Sequence, residues 1–551
     1  MHTPAAAEEG FDFRTDTLAF CGKIAELNYE ISNAVRTNDP NSAFPAMVLF
    51  LTREVPLDFE AADFEPLSVV YGPRGFSALT CTDPMAAVAW LQQQECVVHA
   101  EIDSEVKSCS DGDEDMSISF QSWAAQSAGF GEYNHFAKQW GTGSCTVAVI
   151  DSGVYRHSLI NPKILSLGHD YIDNDDDPTN DLHGHGTRVA GIVADCTREL
   201  PVYIFPIRVL DADASGRTSN VISAVLEATD AHVSVINLSL STFTESEMLE
   251  TAIRNAISSG IIVVAAAGNY ACDASEVTPA CMMDAGIIVV GSAETDGSRS
   301  SFSNYGASVD LYFYGRNIVS CSRSGGYVSD TGTSMAAPHI SAMCAMIRIV
   351  HTSISAGNIV SRIQHSYGDG IAVPNAANMV PKSLGFHLET VSIRKGKTLP
   401  LPAGAYPDTS QEAIGYSVSD PSVADVRDGV LETYREGETE IVASCMGFDD
   451  LVIHIAVLEG ETAELTLPSD LLSIEDEAFL GIRADHVAIP QGVLSIGDRA
   501  FGDGRLWFIT VPDSVTAIGS NDFSNAVIWC KRDSLAYEYA LEHQLQYIIC
   551  E

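Results

Sequence analysis

Basic residues are scarce in this chain: 30 Lys and Arg stand against 74 Asp and Glu in 551 residues, a net charge of −44. Nucleic-acid partners call for basic faces, so none is expected. Long apolar runs are missing too. None reaches the roughly 18 residues that span a bilayer, and no transmembrane segment is expected. Met1 to Gly10 has neither a basic n-region nor an apolar h-region, so no signal peptide is expected within this sequence. The 13 cysteines lack metal-type spacing, and their odd number leaves at least one unpaired or paired between chains. Cys272 with Cys281, and Cys530 with Cys550, lie close enough in sequence to bridge. Buried free thiols are the favoured reading for most of them.

What is present describes folded protein: 46% hydrophobic and 19% charged residues. The length suggests roughly three or four domains. Residues 1–43 form a leader with a helical stretch near Leu18 to Val35. Residues 44–107 read as a small α+β unit. Met47 to Leu51 is a buried strand, and Leu67 to Tyr71 with Gly75 to Leu79 is a hairpin around Gly72-Pro73. Pro84 to Gln94 is a short helix and Val97 to Ile102 a closing strand. The acidic run Asp111 to Asp115, within 108–119, reads as an exposed linker.

Residues 120–382 alternate strands and helices, as a doubly wound parallel sheet requires. Thr146 to Asp151 is a continuous apolar run ending in an acid, where open α/β sheets collect their working groups. His185 opens a helix rich in Gly and Ala. A neutral imidazole takes a proton from serine when a carboxylate fixes its tautomer. His183 reads as a loop residue. Strands Val202 to Val209, Val233 to Leu240 and Ile261 to Ala267 follow, with helices Ser219 to Ala228 and Glu245 to Ser258. Asn269, just past the third of these strands, has an amide able to donate to an oxyanion. Gly332-Thr333-Ser334-Met335-Ala336-Ala337-Pro338 delivers a serine into the first turn of an apolar helix, whose free N–H groups favour negative charge.

Four segments in this order, Ala148-Val149-Ile150-Asp151-Ser152-Gly153, His185-Gly186-Thr187-Arg188-Val189-Ala190-Gly191, Ala266-Ala267-Gly268-Asn269 and Gly332 to Pro338, resemble the motifs of the subtilisin-like serine proteases. The resemblance implies that the chain hydrolyses polypeptides. Ser334 would be the nucleophile, His185 the general acid/base and Asp151 its orienting carboxylate. Asn269 and the Ser334 N–H would hold the oxyanion. Ala214-Ser215-Gly216-Arg217 and Leu238-Ser239-Leu240-Ser241 would flank an extended substrate by main-chain pairing. Ser239, Leu240 and Ser241, with Ala266, Ala267, Gly268 and Asn269, would line the P1 pocket, with Val277 at its floor, and small or medium apolar P1 residues are expected. No cofactor is required for the chemistry. Arg188 replaces a histidine common in the family. The segment Asp195 to Leu200 lacks the Asn-containing loop of the family's calcium site. The acidic loop Asp170 to Asp181 has carboxylates suited to calcium, and a solvated loop is favoured over a metal site. The 44–107 unit resembles the family's propeptide, which implies a zymogen inhibited by its own propeptide and cut between about Ser104 and Phe120. Met335, beside the nucleophile, would make catalysis sensitive to oxidation.

Past Ser383 the chemistry stops. Residues 386–458 resemble a bacterial immunoglobulin-like β-sandwich. Within 462–551, Pro468, Pro490 and Pro512, like Phe479, Phe501 and Phe523, return at a fixed spacing. This resembles BspA-like leucine-rich repeats, a short solenoid with a capping helix near Ser534 to Ala540 that binds a protein ligand or docks on the protease. Such accessory modules imply a secreted or surface-displayed protein.

Overall fold

In a computed structural model, residues 17, 19–28, 46–53, 57, 59, 62, 64, 66–72, 75–109, 114–116, 122–367, 373–520, 523 and 526–550 are described. They fall into two compact units, Met1–Ala377 and Asn378–Glu551.

The first unit opens with helical residues 19–28, which carry Phe20, Cys21, Ile24 and Leu27 into a buried cluster shared with the core of the unit. The rest of the expected leader helix, to Val35, lies outside the described residues. An antiparallel sheet follows, built from β1 (Ala46–Thr52), β2 (Pro66–Tyr71), β3 (Phe76–Cys81) and β4 (Val97–Ile102) in the order β2-β3-β1-β4, with α1 (Pro84–Leu91) beside it. Beyond β4 the chain continues into β5 (Glu105–Ser108). Part of the expected linker, Glu114–Met116, forms β6 and pairs with a later strand. The stretch Asp111 to Asp113 lies outside the described residues.

After α2 (Trp123–Ser127) and α3 (Phe130–Trp140) come β7 (Cys145–Asp151), α4 (His185–Cys196), β8 (Val202–Arg208), β9 (Ser215–Arg217), α5 (Thr218–Asp230) and β10 (Val235–Leu238). Then follow β11 (Leu240–Ser241), α6 (Glu247–Ser258), β12 (Ile262–Ala266), β13 (Ile287–Ala293), β14 (Leu311–Tyr314), β15 (Ile318–Cys321), β16 (Tyr327–Asp330), α7 (Thr333–Val350) and α8 (Ala356–His365). Six of the strands make one sheet, ordered β14-β13-β12-β10-β7-β8, with every neighbouring pair parallel. A parallel sheet is covered on both faces, which is why its strands are unbroken apolar runs. Ile262, Val263 and Val264 of β12 have no exposed surface, and each such side chain contributes about 1.5–3 kcal/mol. Helix α7 is buried at every residue but Arg348.

The small sheet docks on the large one through two helix ends. Glu101 accepts the Met248 N–H (3.2 Å) in the first turn of α6 and also bonds the Ser246 hydroxyl. Asp103 accepts the Ser219 N–H and hydroxyl, both at 2.8 Å, at the start of α5. Carboxylates at helix N-termini satisfy orphan N–H groups and complement the helix dipole. Burial pushes the Asp103 carboxyl up to about 6, against the pull of the Ser219 donors.

In the second unit, residues 390–394, 451–458, 437–444 and 415–418 form a four-stranded sheet, and 398–400, 430–433 and 424–427 a three-stranded one. Leu399, Leu431, Ile441, Ile453 and Ile455 share one core, and alternate residues of 437–444 and 451–458 face it. The remainder carries two sheets, a six-stranded one parallel except at residues 386–387 and a parallel three-stranded one over 473–474, 495–496 and 517–518, and their equivalent groups lie 22 positions apart, as with Asp476 and Asp498. Phe479, Phe501 and Phe523 stack in sequence, with ring centroids 5.3 and 6.1 Å apart. Helix Leu535–Glu542 closes the row. All thirteen cysteines are free thiols, Cys272, Cys281, Cys530 and Cys550 included.

Candidate active site

Asp151 ends β7 and His185 begins α4. These two ends can approach because residue 186 is glycine: a Cβ there would stand 2.1 Å from the Gly153 carbonyl oxygen. The Asp151 carboxylate accepts from His185 Nδ1 at 2.7 Å and from the Ser152 N–H at 2.8 Å. That leaves Nε2 of His185 as the basic nitrogen, and it has no partner among the described residues. The Ser334 hydroxyl donates to the Ser239 carbonyl at 3.1 Å, so it is turned towards β11. Asp151, His185 and Ser334 all have no exposed surface.

Proline 338 helps shape the serine turn. It has no N–H for the Ser334 carbonyl four residues back. That carbonyl instead accepts the Ser239 hydroxyl at 3.1 Å, tying the start of α7 to the end of β10. Asn269 is held from its other side. Its Oδ1 accepts the Thr333 N–H (2.9 Å) and hydroxyl (3.0 Å), which leaves Nδ2 to point at the serine turn. Gly268 carries φ +98°, and the Thr333 hydroxyl also takes its N–H (3.1 Å). Asn304 Nδ2 donates to the Ala267 carbonyl at 2.8 Å, fixing the same loop from behind.

Strand β5 lies between β11 and β9, antiparallel to both. Val106 faces Gly216 and Lys107 faces Ser215 on one side; Ser108 faces Leu240 and Lys107 faces Ser241 on the other. Cys109 follows, its N–H on the Ser239 carbonyl (3.3 Å). Its own carbonyl oxygen accepts from Asn269 Nδ2 (2.6 Å) and the Ser334 N–H (3.3 Å). One peptide carbonyl of this chain thus sits between two convergent donors beside a serine.

Residues 142–386 match the profile described as the Subtilase family, and 459–529 match the BspA type leucine rich repeat region in six copies. A thermophilic serine proteinase of Bacillus sp. strain AK1 is 38% identical over 216 residues, covering 38% of this chain and 53% of that protein. An extracellular serine proteinase of Thermus sp. strain Rt41A is 35% identical over 242 residues, 43% of this chain and 58% of the relative. The chain thus spans a little over half the length of these two. Subtilisin BL of Lederbergia lenta is 33% identical over 248 residues, which is 42% of this chain and 89% of the relative. The chain belongs to the subtilase family.

Subtilases need no cofactor for their chemistry, and the two places suited to a structural cation in this subtilase do not fit a divalent ion. In the acidic loop, Arg208 is 1% exposed and its guanidinium reaches Asp170 (2.7 Å) and Asp173 (2.5 Å). The free oxygen of Asp170 accepts the N–H groups of Ile172 and Asp173. At the short α4–β8 connection, the carbonyls of Thr197, Leu200 and Val202 converge on the Lys163 ammonium at 3.0, 3.2 and 3.3 Å. A charge already stands in that cage. Burial pushes Lys163 down to about 8, which leaves it protonated at neutral pH. Among the described residues no group of three or more His, Cys, Asp or Glu side chains is arranged to hold a metal.

Several supporting residues escaped the sequence reading. Asp181 reads there as one more acid of the loop, yet it is 5% exposed and braces the start of the histidine helix. It accepts from the Ser152 hydroxyl (2.9 Å), the Gly184 N–H (2.6 Å) and the Thr187 N–H (3.0 Å). Its place four residues before the helix was the available signal, hidden by the five other carboxylates of the loop. Arg188 pairs with Asp330 at 2.7 Å, linking the histidine helix to the strand that leads into the serine turn. Met335 has no exposed surface, so the expected sensitivity to oxidation meets a steric barrier here.

Proposed function

We propose that this subtilase is a serine endopeptidase made as a zymogen, with residues 44–107 as its propeptide and the Cys109–Ser110 bond as the site of self-cleavage. The observation that supports this most is the Cys109 carbonyl between Asn269 Nδ2 and the Ser334 N–H, at the end of a strand paired on both edges. A ground-state carbonyl already held by oxyanion donors needs only a nucleophile on its carbon. Rotation about the Ser334 side chain brings Oγ from the Ser239 carbonyl to the unpartnered His185 Nε2. His185 takes the hydroxyl proton as Oγ bonds to the Cys109 carbon, and Asp151 stabilises the imidazolium. The C–N bond to Ser110 then breaks, the amine leaves with the proton from His185, and an ester remains on Ser334. Water, deprotonated by His185, hydrolyses that ester and frees the Cys109 carboxylate. Other polypeptides would enter the same groove once β5 leaves it.

The second unit fits an immunoglobulin-like module over 386–458 and a leucine-rich-repeat solenoid over 462–551 that docks on the protease or binds a protein ligand. Such modules, together with the extracellular relative, support secretion or display at a bacterial surface. Thirteen free thiols support an intracellular reading instead, because oxidising compartments favour disulfides. The N-terminus of the protein isolated from its organism, cell against medium, separates the two. The peptidase reading is tested by N-terminal sequencing of the expressed chain. Ser110 as the new terminus is expected, with Ser334→Ala remaining uncut; equal cutting of both chains would sink it.

A further inference from the structure

Cysteine is small, and the pocket that receives Cys109 has reasons to be small. Cys109 Sγ lies 3.1 Å from the Ser241 hydroxyl, and the two residues are 3% and 2% exposed. Thiol and hydroxyl can each donate and accept, so in this buried place each serves the other. A methyl or a phenyl in the same position leaves the Ser241 hydroxyl without that partner, which is costly once water is excluded. The wall is also crowded. Thr242 and Thr278 exchange both backbone hydrogen bonds (3.0 and 2.9 Å), which sets the β-branched Val277, 1% exposed, beside the strand that carries Ser241. Phe243, two residues beyond Ser241, meets Tyr270, the residue after Asn269, with ring centroids 4.5 Å apart. This contact ties the two walls of the pocket together.

We infer that the substrates are polypeptides with Cys or Ser directly before the scissile bond, and that Ser241 selects that residue by hydrogen-bonding its Sγ or Oγ. This rests on the peptidase reading above and departs from the small or medium apolar preference expected from the sequence: the residue stays small but carries a hydrogen-bonding group. The full chain, once it has cut itself, is given peptides Glu-Val-Lys-Ser-X-Ser-Asp-Gly under thiol-reducing conditions, with X as Cys, Ser, Ala, Leu or Phe. kcat/KM is read by mass spectrometry. Cys and Ser are expected to exceed Ala about three- to tenfold, the worth of one hydrogen bond, with Leu and Phe slower still. Ser241→Ala is expected to bring the Cys-to-Ala ratio towards one, and Ser241→Gly to raise Leu and Phe relative to Ala. Wild-type preference for Leu or Phe, or a Cys-to-Ala ratio unchanged in Ser241→Ala, overturns the inference and leaves the peptidase reading standing. So does a chain that a fluorophosphonate labels at Ser334 but that cuts none of the peptides. A chain neither labelled nor active removes the peptidase reading itself.

Discussion

An amide side chain that is free to rotate loses much of its value as an oxyanion donor, because part of the binding is spent on orienting it. Asn269 is held by two bonds to Thr333 through its oxygen, so its Nδ2 arrives already aimed. Asn269→Ala is expected to fold normally and to lose on the order of 10²–10³ in kcat, a magnitude known for the same role in subtilisin rather than derived from this geometry. Steady-state kinetics beside a thermal melt checks both halves. Asp103 carries a second residue-scale expectation. Its carboxyl is raised to about 6 in the folded chain against its usual 3.8, so the folded state holds more protons than the unfolded one between those values. The stability from this group is full below about 4 and is lost as pH rises through about 6. In an uncut Ser334→Ala background, the melting-temperature advantage over Asp103→Asn should therefore shrink between pH 4 and 6; an advantage that grows would refute the burial of this group.

Elements here are joined by single buried charges. Lys163 gathers three carbonyls from the end of α4 and the start of β8, so one side chain fixes how that helix passes into the sheet. Lys163→Met keeps the length of the stem and deletes the donors. It should cost about 2–4 kcal/mol, since buried carbonyls lose charge-assisted partners, and urea denaturation of the uncut Ser334→Ala chain measures it. The order of strands and helices was legible from apolar runs and their spacing: β7, β8, β10 and β12 stand within a few residues of where the pattern puts them. Less legible was which short segments would be strands. Glu114–Met116 has the composition of a linker, and only the open edge of β16 makes it a strand.

At the scale of the whole chain, the first unit is covered by its own β5. Ser334 has no exposed surface while that strand is in place. A fluorophosphonate should therefore label the chain only after a lag, and labelling should rise together with the appearance of Ser110 as a new terminus. Time-resolved mass spectrometry follows both signals; labelling of the intact chain at full rate would contradict the coverage. No helix among the described residues is long and apolar enough to cross a membrane.

Chemistry that depends on residue type survives in the sequence. A serine after Gly-Thr, a histidine before Gly-Thr and an acid at the end of an apolar run are local facts, and their order along the chain named the family. Geometry that depends on distant partners does not survive there. Nothing near Cys109 in the sequence marks its carbonyl as the one between Asn269 and Ser334, because those donors lie 160 and more residues away and meet it only when β5 enters between β9 and β11. Likewise Asp181 is one acid among many until the start of α4 closes over it, and the carbonyls around Lys163 converge only once β8 has joined the sheet. The sequence by itself determined the residue types and the order that mark the candidate triad; folding alone decided which backbone carbonyl they face.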